Sequence, residues 1–155
     1  MSDGCSILTV VIATCGRPDR LTHALQFVRR ADELTGGGNH LVVADNGDDY
    51  AAEATVKQVA EQGVMVVQYL KTPPRNKCKA LNAAITAART EWLAFTDDDT
   101  EPDERWLLEG TRYAATDVCR YFGGRVIPGP RPTDAPKTLG PYIEGVSCPG
   151  GGVYV

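Results

Sequence analysis

Apolar residues in this chain come in short continuous runs separated by segments with helical spacing. Ile7 to Ala13 (Ile-Leu-Thr-Val-Val-Ile-Ala) is β-branched and almost wholly apolar, which predicts a strand buried on both faces. The loop Thr14-Cys15-Gly16-Arg17-Pro18 ends it, and Asp19 is placed to cap a helix reaching Leu34, with Leu21, Leu25 and Val28 on one face. Gly36-Gly37-Gly38-Asn39 stops that helix. The same alternation then repeats. Strands are expected at His40–Ala44, Val64–Leu70 and Glu91–Thr96. Helices are expected at Tyr50–Gln62, Asn76–Ala88 and Asp103–Ala115, the last opened by Pro102. A fifth strand is expected over Arg120–Ile127, then a loop over Pro128–Pro141 with five prolines. Cys148–Val155 reads as the start of a further strand. Strands alternating with helices predict an α/β domain with a mostly parallel sheet flanked by helices.

One domain, spanning residues 1–155, suits this length. The chain breaks off inside Val153-Tyr154-Val155, so the expectation is a domain truncated at its C-terminus. A net charge of −4 argues against a nonspecific nucleic-acid binder, which would show a basic face. No apolar run is long enough to span a bilayer, and the first five residues lack a signal-peptide pattern. Five scattered cysteines without CxxC spacing suggest neither a disulfide framework nor a zinc site. The expected location is the cytoplasm, with contact at the inner face of the membrane left open.

Asp97-Asp98-Asp99, directly after the fourth apolar run, is the strongest chemical signal. Three adjacent carboxylates repel one another unless something positive joins them. A hard divalent cation, Mn²⁺ or Mg²⁺, bridging to an anionic substrate would do so. In open α/β sheets ligands bind beyond the carboxyl ends of strands, which is where this triplet falls. The competing reading is an acidic helix start, which suits Thr100-Glu101-Pro102-Asp103 better than Asp97 and Asp98.

Three weaker signals lie at equivalent positions. Asp45 ends the second strand, where an acidic residue can bond a ribose or base edge or simply make an Asx turn. The loop after the first strand offers amides and the Arg17 guanidinium to a nucleotide, though it has neither GxxxxGK[ST] nor GxGxxG. Arg75-Asn76-Lys77-Cys78-Lys79 puts basic residues at a helix start, against the helix dipole; an anion or plain solvation would resolve this.

Taken in order, Leu8-Thr9-Val10-Val11-Ile12-Ala13-Thr14, Arg17-Pro18, Leu41-Val42-Val43-Ala44-Asp45-Asn46-Gly47, Lys79-Ala80-Leu81-Asn82, Trp92-Leu93-Ala94-Phe95-Thr96-Asp97-Asp98-Asp99 and Phe122-Gly123-Gly124-Arg125-Val126 resemble the family 2 glycosyltransferases of the GT-A fold. The resemblance implies a Rossmann-like nucleotide-diphospho-sugar transferase fold. It also implies a metal-dependent, inverting reaction that moves a sugar from a nucleotide-diphosphate donor to an acceptor hydroxyl on a saccharide, lipid or small molecule. By position it implies that Thr14, Arg17 and Asp45 line the nucleotide pocket. Asp97 and Asp98 fall near the ribose and diphosphate, Lys77 or Lys79 approaches the diphosphate, and Asp99 is the metal ligand. Family members often carry a glycine where this chain has Lys77-Cys78-Lys79. The acidic base of inverting members has no clear counterpart, since Glu144 is the only carboxylate after Asp134. The expected catalytic base is therefore outside this chain. Two alternatives stay open: a non-catalytic nucleotide-sugar binding module or truncated transferase, and a related nucleotidyltransferase. A haloacid dehalogenase-type phosphatase is disfavoured, because Glu101 stands where that motif wants Thr or Val.

Overall fold

The structure, a computed structural model, describes residues 8–63, 65–116, 120, 121, 123 and 124. Four strands, β1 (Leu8–Thr14), β2 (His40–Asp45), β3 (Val66–Lys71) and β4 (Trp92–Asp97), alternate with four helices. The helices are α1 (Pro18–Leu34), α2 (Ala52–Glu61), α3 (Lys77–Ala87) and α4 (Trp106–Ala114). All strand pairings are parallel, in the order β3-β2-β1-β4.

β1 shows why the sheet has two covered faces. Side chains along a strand point alternately to opposite faces. Leu8, Val10 and Ile12 pack with Leu21, Leu25 and Val28 of α1, Val56 of α2 and Leu107 of α4. Val11 and Ala13 pack on the other face with Val42, Ala44 and the α3 residues Ala80 and Ala84. A continuous apolar run is what a strand between two helical layers requires. The alanines let α3 lie close against β1 and β2.

The elements expected between Ile7 and Ala115 are all present among the described residues, which leave out Ile7 and Val64, with boundary shifts that have local causes. α1 starts at Pro18, whose missing N–H costs nothing in a first turn; Asp19 lies within that turn and is not the cap. α2 starts at Ala52 because Tyr50 has φ of 51°, outside helical geometry. α4 starts at Trp106, later than expected. Asp103 forms the preceding turn, accepting from the Arg105 amide at 2.9 Å through its side chain and from the Trp106 amide at 3.0 Å through its carbonyl. β2 and β4 each extend one residue further, to Asp45 and Asp97, which pair with Thr14 and Ala13 of β1. β3 begins at Val66. Most of the expected strand over 120–127 lies outside the described residues, and Arg120, Tyr121, Gly123 and Gly124 are not in strand conformation. The expected loop over 128–141 and the expected strand start at 148–155 also lie outside them.

At the amino edge of the sheet, His40 is buried beside Thr9, whose hydroxyl is 3.3 Å from the imidazole Nδ1. Burial, aided by the nearby Arg89 charge, pushes the His40 pKa below its ordinary value of 6.5.

Two predictions follow from this packing. Ala84→Leu overfills the α3–sheet contact and should lower unfolding free energy by about 1–3 kcal/mol, read by urea denaturation. Because His40 binds its proton less readily when folded, it has no effect on stability well above pH 6.5. As pH falls from that value toward the lower folded one, the unfolded chain takes up the proton first and stability drops. Melting temperature should therefore fall between pH 7.5 and 5.5 in the wild type, and by less in His40→Gln.

Candidate active site at the carboxyl edge of the sheet

From β1 the chain builds outward to β2 and β3, then crosses back to place β4 on the other side of β1. The strand order thus reverses between β1 and β4, and a crevice opens beyond their carboxyl ends. Thr14, Asp45 and Asp97 share that edge by register, Thr14 paired with Asp45 and Ala13 with Asp97.

The three adjacent aspartates have different surroundings. Asp98 is 0% exposed. Its carboxylate accepts the Thr14 hydroxyl at 2.6 Å and Arg17 Nη2 at 2.6 Å, which ties the end of β4 to the end of β1 and to the loop after it. The Asp97 and Asp99 side chains are 49% and 40% exposed. Lys77 Nζ is 2.6 Å from Asp97 Oδ1. Arg17 Nη1 and Arg20 Nη1 are 3.1 and 3.6 Å from Asp99 Oδ2. The turn is fixed from below. Thr100 donates its hydroxyl to the Asp97 carbonyl at 2.9 Å, and its oxygen lies 2.7 Å from that of Thr96.

Asp45 is also buried, and both its oxygens are used inside the protein. Oδ1 accepts the Gly47 amide at 2.8 Å. Oδ2 accepts the Ala52 amide at 3.3 Å and the Tyr69 hydroxyl at 2.7 Å. Burial first, and then the Asp45 carboxylate, raise the Tyr69 pKa far above the usual phenol value. Asp45 thus sets the course of the chain between β2 and α2. A side chain at Gly47 would bring its Cβ to 2.9 Å from the Gly16 amide nitrogen, so the β1–α1 and β2–α2 loops nest only with glycine there.

On the β3 side, Asn76 caps α3 by accepting the Lys79 amide at 2.9 Å. Lys77 points to Asp97, and Lys79 is exposed. Of the two resolutions left open for the basic helix start, an anion or solvation, Lys77 has the first in Asp97 and Lys79 the second. Arg75 has φ of 58° and pairs with Asp48 at 2.8 Å. Non-glycine residues in this backbone region concentrate at functional sites. Beside Asp99, a cavity of about 320 Å³ is lined by Asp19, Arg20, His23, Asp99 and Thr100.

All the expected site residues thus stand at one edge of the sheet: Arg17 contacts Asp98 and Asp99, Thr14 contacts Asp98, and Lys77 reaches Asp97, while Asp45 pairs with Thr14 in register and Lys79 is exposed in the first turn of α3. Three participants escaped the sequence reading. Arg20 lies one helical turn beyond Arg17, a spacing that signals a shared face. Asn76 stands at an expected helix start, where asparagine is a preferred cap, but its side-chain bond to the Lys79 amide was not drawn from that. Tyr69 gave no signal, since a tyrosine in a half-apolar strand is unremarkable alone. Among the described residues, no three His, Cys, Asp or Glu side chains gather to hold a metal.

The model of glycosyl transferase family 2 matches residues 9–140. The chain belongs to this family. Solved structures similar to this family 2 chain include residues 1–349 of S. aureus TarS, at 17% identity and TM-score 0.59, with 71% of this chain and 32% of that one covered. The same TarS fragment in complex with UDP-GlcNAc matches at TM-score 0.59 and 17% identity, covering 71% and 31%. The mannosyltransferase PcManGT from Pyrobaculum calidifontis, in complex with GDP-Man and Mn²⁺, matches at 23% identity and TM-score 0.59, covering 82% and 36%. The likeness shows the GT-A fold. The chain spans about a third of the length of each of these proteins. No curated protein sequence matches it.

The contrast among the three aspartates yields a prediction. Asp98→Ala strips the buried Thr14 hydroxyl of its acceptor and should cost about 1–3 kcal/mol. Asp97→Ala and Asp99→Ala remove exposed ion pairs and should each change stability by no more than about 1 kcal/mol. Urea denaturation of the three variants checks the ranking.

Proposed function

We propose that this chain forms the donor-binding part of a metal-dependent, inverting glycosyltransferase. It would move a sugar from a nucleotide-diphosphate donor to a hydroxyl on a saccharide, lipid or small molecule. The observation that carries this reading is the pair of half-exposed carboxylates, Asp97 and Asp99, held apart by a fully buried Asp98 at the point where the strand order reverses. The family match and the nucleotide sugars in the complexes of TarS and PcManGT support it.

The carboxylates suit Mn²⁺ or Mg²⁺. A hard cation of this kind is commonly held by one or two carboxylates, with substrate phosphates and water completing the shell, so it needs no dedicated cage of protein ligands. Asp99 would be the ligand, with Asp97 beside it. Bound there, such an ion neutralises charge on a departing diphosphate.

Roles for the other residues follow from their contacts. Arg17, anchored on Asp98, orients one face of the cleft, and Thr14 fixes the buried carboxylate. Asp45 shapes the nucleotide pocket by holding the chain from Gly47 to Ala52. Lys77 and Lys79, at the opposite wall, approach the diphosphate. In the reaction the acceptor oxygen bonds to the anomeric carbon while the bond from that carbon to the diphosphate oxygen breaks. The acceptor proton passes to a base outside the described residues. We place the protein in the cytoplasm, at the inner face of the membrane if the acceptor is a lipid. Among the described residues no helix is long and apolar enough to cross a membrane.

Calorimetry with UDP, GDP and dTDP, each with and without Mn²⁺, tests the proposal. One nucleotide should bind in a metal-dependent manner and lose that binding in Asp99→Ala. A folded protein that binds none of the three would overturn it.

A further inference from the structure

The carboxylates assigned to the metal are already neutralised by side chains of the protein. Lys77 Nζ lies 2.6 Å from Asp97, and Arg17 and Arg20 lie 3.1 and 3.6 Å from Asp99. These cations come from opposite walls: Arg17 and Arg20 from the start of α1, Lys77 from the start of α3. Arg17 cannot withdraw, because its other nitrogen is bound to the buried Asp98. A divalent cation at Asp99 alone would therefore have to break two ion pairs and stand beside three positive side chains.

We propose that Arg17, Arg20 and Lys77 are resident counter-ions of the acidic motif, so that a divalent cation binds well only together with a diphosphate. This rests on the donor-site reading above. The exchange conserves favourable contacts. Arg20 and Lys77 leave the carboxylates to the metal and find phosphate oxygens, while Arg17 stays on Asp98 and its freed Nη1 meets the same diphosphate. Metal and nucleotide then tighten each other's binding by the same factor. The arrangement also keeps the motif charge-balanced between turnovers. It assigns Arg20, which lies outside the nucleotide pocket expected from sequence, a part in coupling metal binding to diphosphate binding.

The test is a titration of the folded protein with Mn²⁺ alone at fixed ionic strength, with unbound Mn²⁺ read by electron paramagnetic resonance, then repeated with UDP or GDP. Variants are Arg20→Gln, Lys77→Met and the two combined, with Lys77→Gln as an alternative, and Arg30→Gln as a control for net charge on the same helix. Arg20 and Lys77 are exposed side chains, so folding should be unaffected. Each single neutralisation should tighten Mn²⁺ alone by about two- to fivefold, the scale of an exposed ion pair, and the double variant by roughly their product. The enhancement by nucleotide should shrink accordingly. The Arg30 control should change affinity by less than about 1.5-fold, since solvent and salt screen distant charges. If Arg20→Gln and Lys77→Met leave Mn²⁺ affinity unchanged or weaker while Asp99→Ala still abolishes binding, the counter-ion role is wrong and the donor site stands. If Mn²⁺ binds no variant with or without nucleotide, both proposals fail.

Discussion

The site depends on one buried carboxylate. Asp98 accepts from Thr14 and Arg17, so the ends of β1 and β4 and the first turn of α1 are joined at a single point. A buried charge is tolerated only where partners satisfy it, and these two do so from adjacent elements. With Asp98 turned inward, the strand's alternation and the following turn leave Asp97 and Asp99 facing the solvent-filled crevice. Three consecutive carboxylates thereby divide into one buried group and two half-exposed ones.

The rest of the domain keeps that point rigid. β1 is buried along its whole length, with α1, α2 and α4 on one face and α3 on the other. α1 and α3 both start at the carboxyl edge, α1 directly after Arg17 and α3 at Lys77 itself. The helices that bury the sheet therefore also aim the cations at the cleft. Packing and charge placement are set by the same two chain reversals.

Much of this was legible in the sequence. The unbroken apolar run at residues 8–13 announced a central parallel strand, and each later run repeated the argument. The triplet after β4 announced an acidic site at a strand end. What stayed hidden was how the acids divide. For Asp45 the sequence left a ligand contact and an Asx turn both open, and the family resemblance put Asp98 near the ribose and diphosphate; the burial of both depends on donors 24 and 84 residues away in sequence, Tyr69 to Asp45 and Thr14 to Asp98. The start of α2 was misjudged at Tyr50 because a positive φ in tyrosine has no compositional signal. Likewise the basic α3 start seemed to lack a counter-charge only because Asp97, 20 residues on from Lys77, is brought to it by the fold.

The nesting of the first two loops bears on engineering. With Gly47 packed on the Gly16 backbone, the segments after β1 and β2 share one contact surface. A loop library that randomises Gly47 alone will mostly be lost to collision with the Gly16 backbone, whatever else it changes. Grafting either loop from a relative calls for both segments to travel together, as a single cassette discontinuous in sequence.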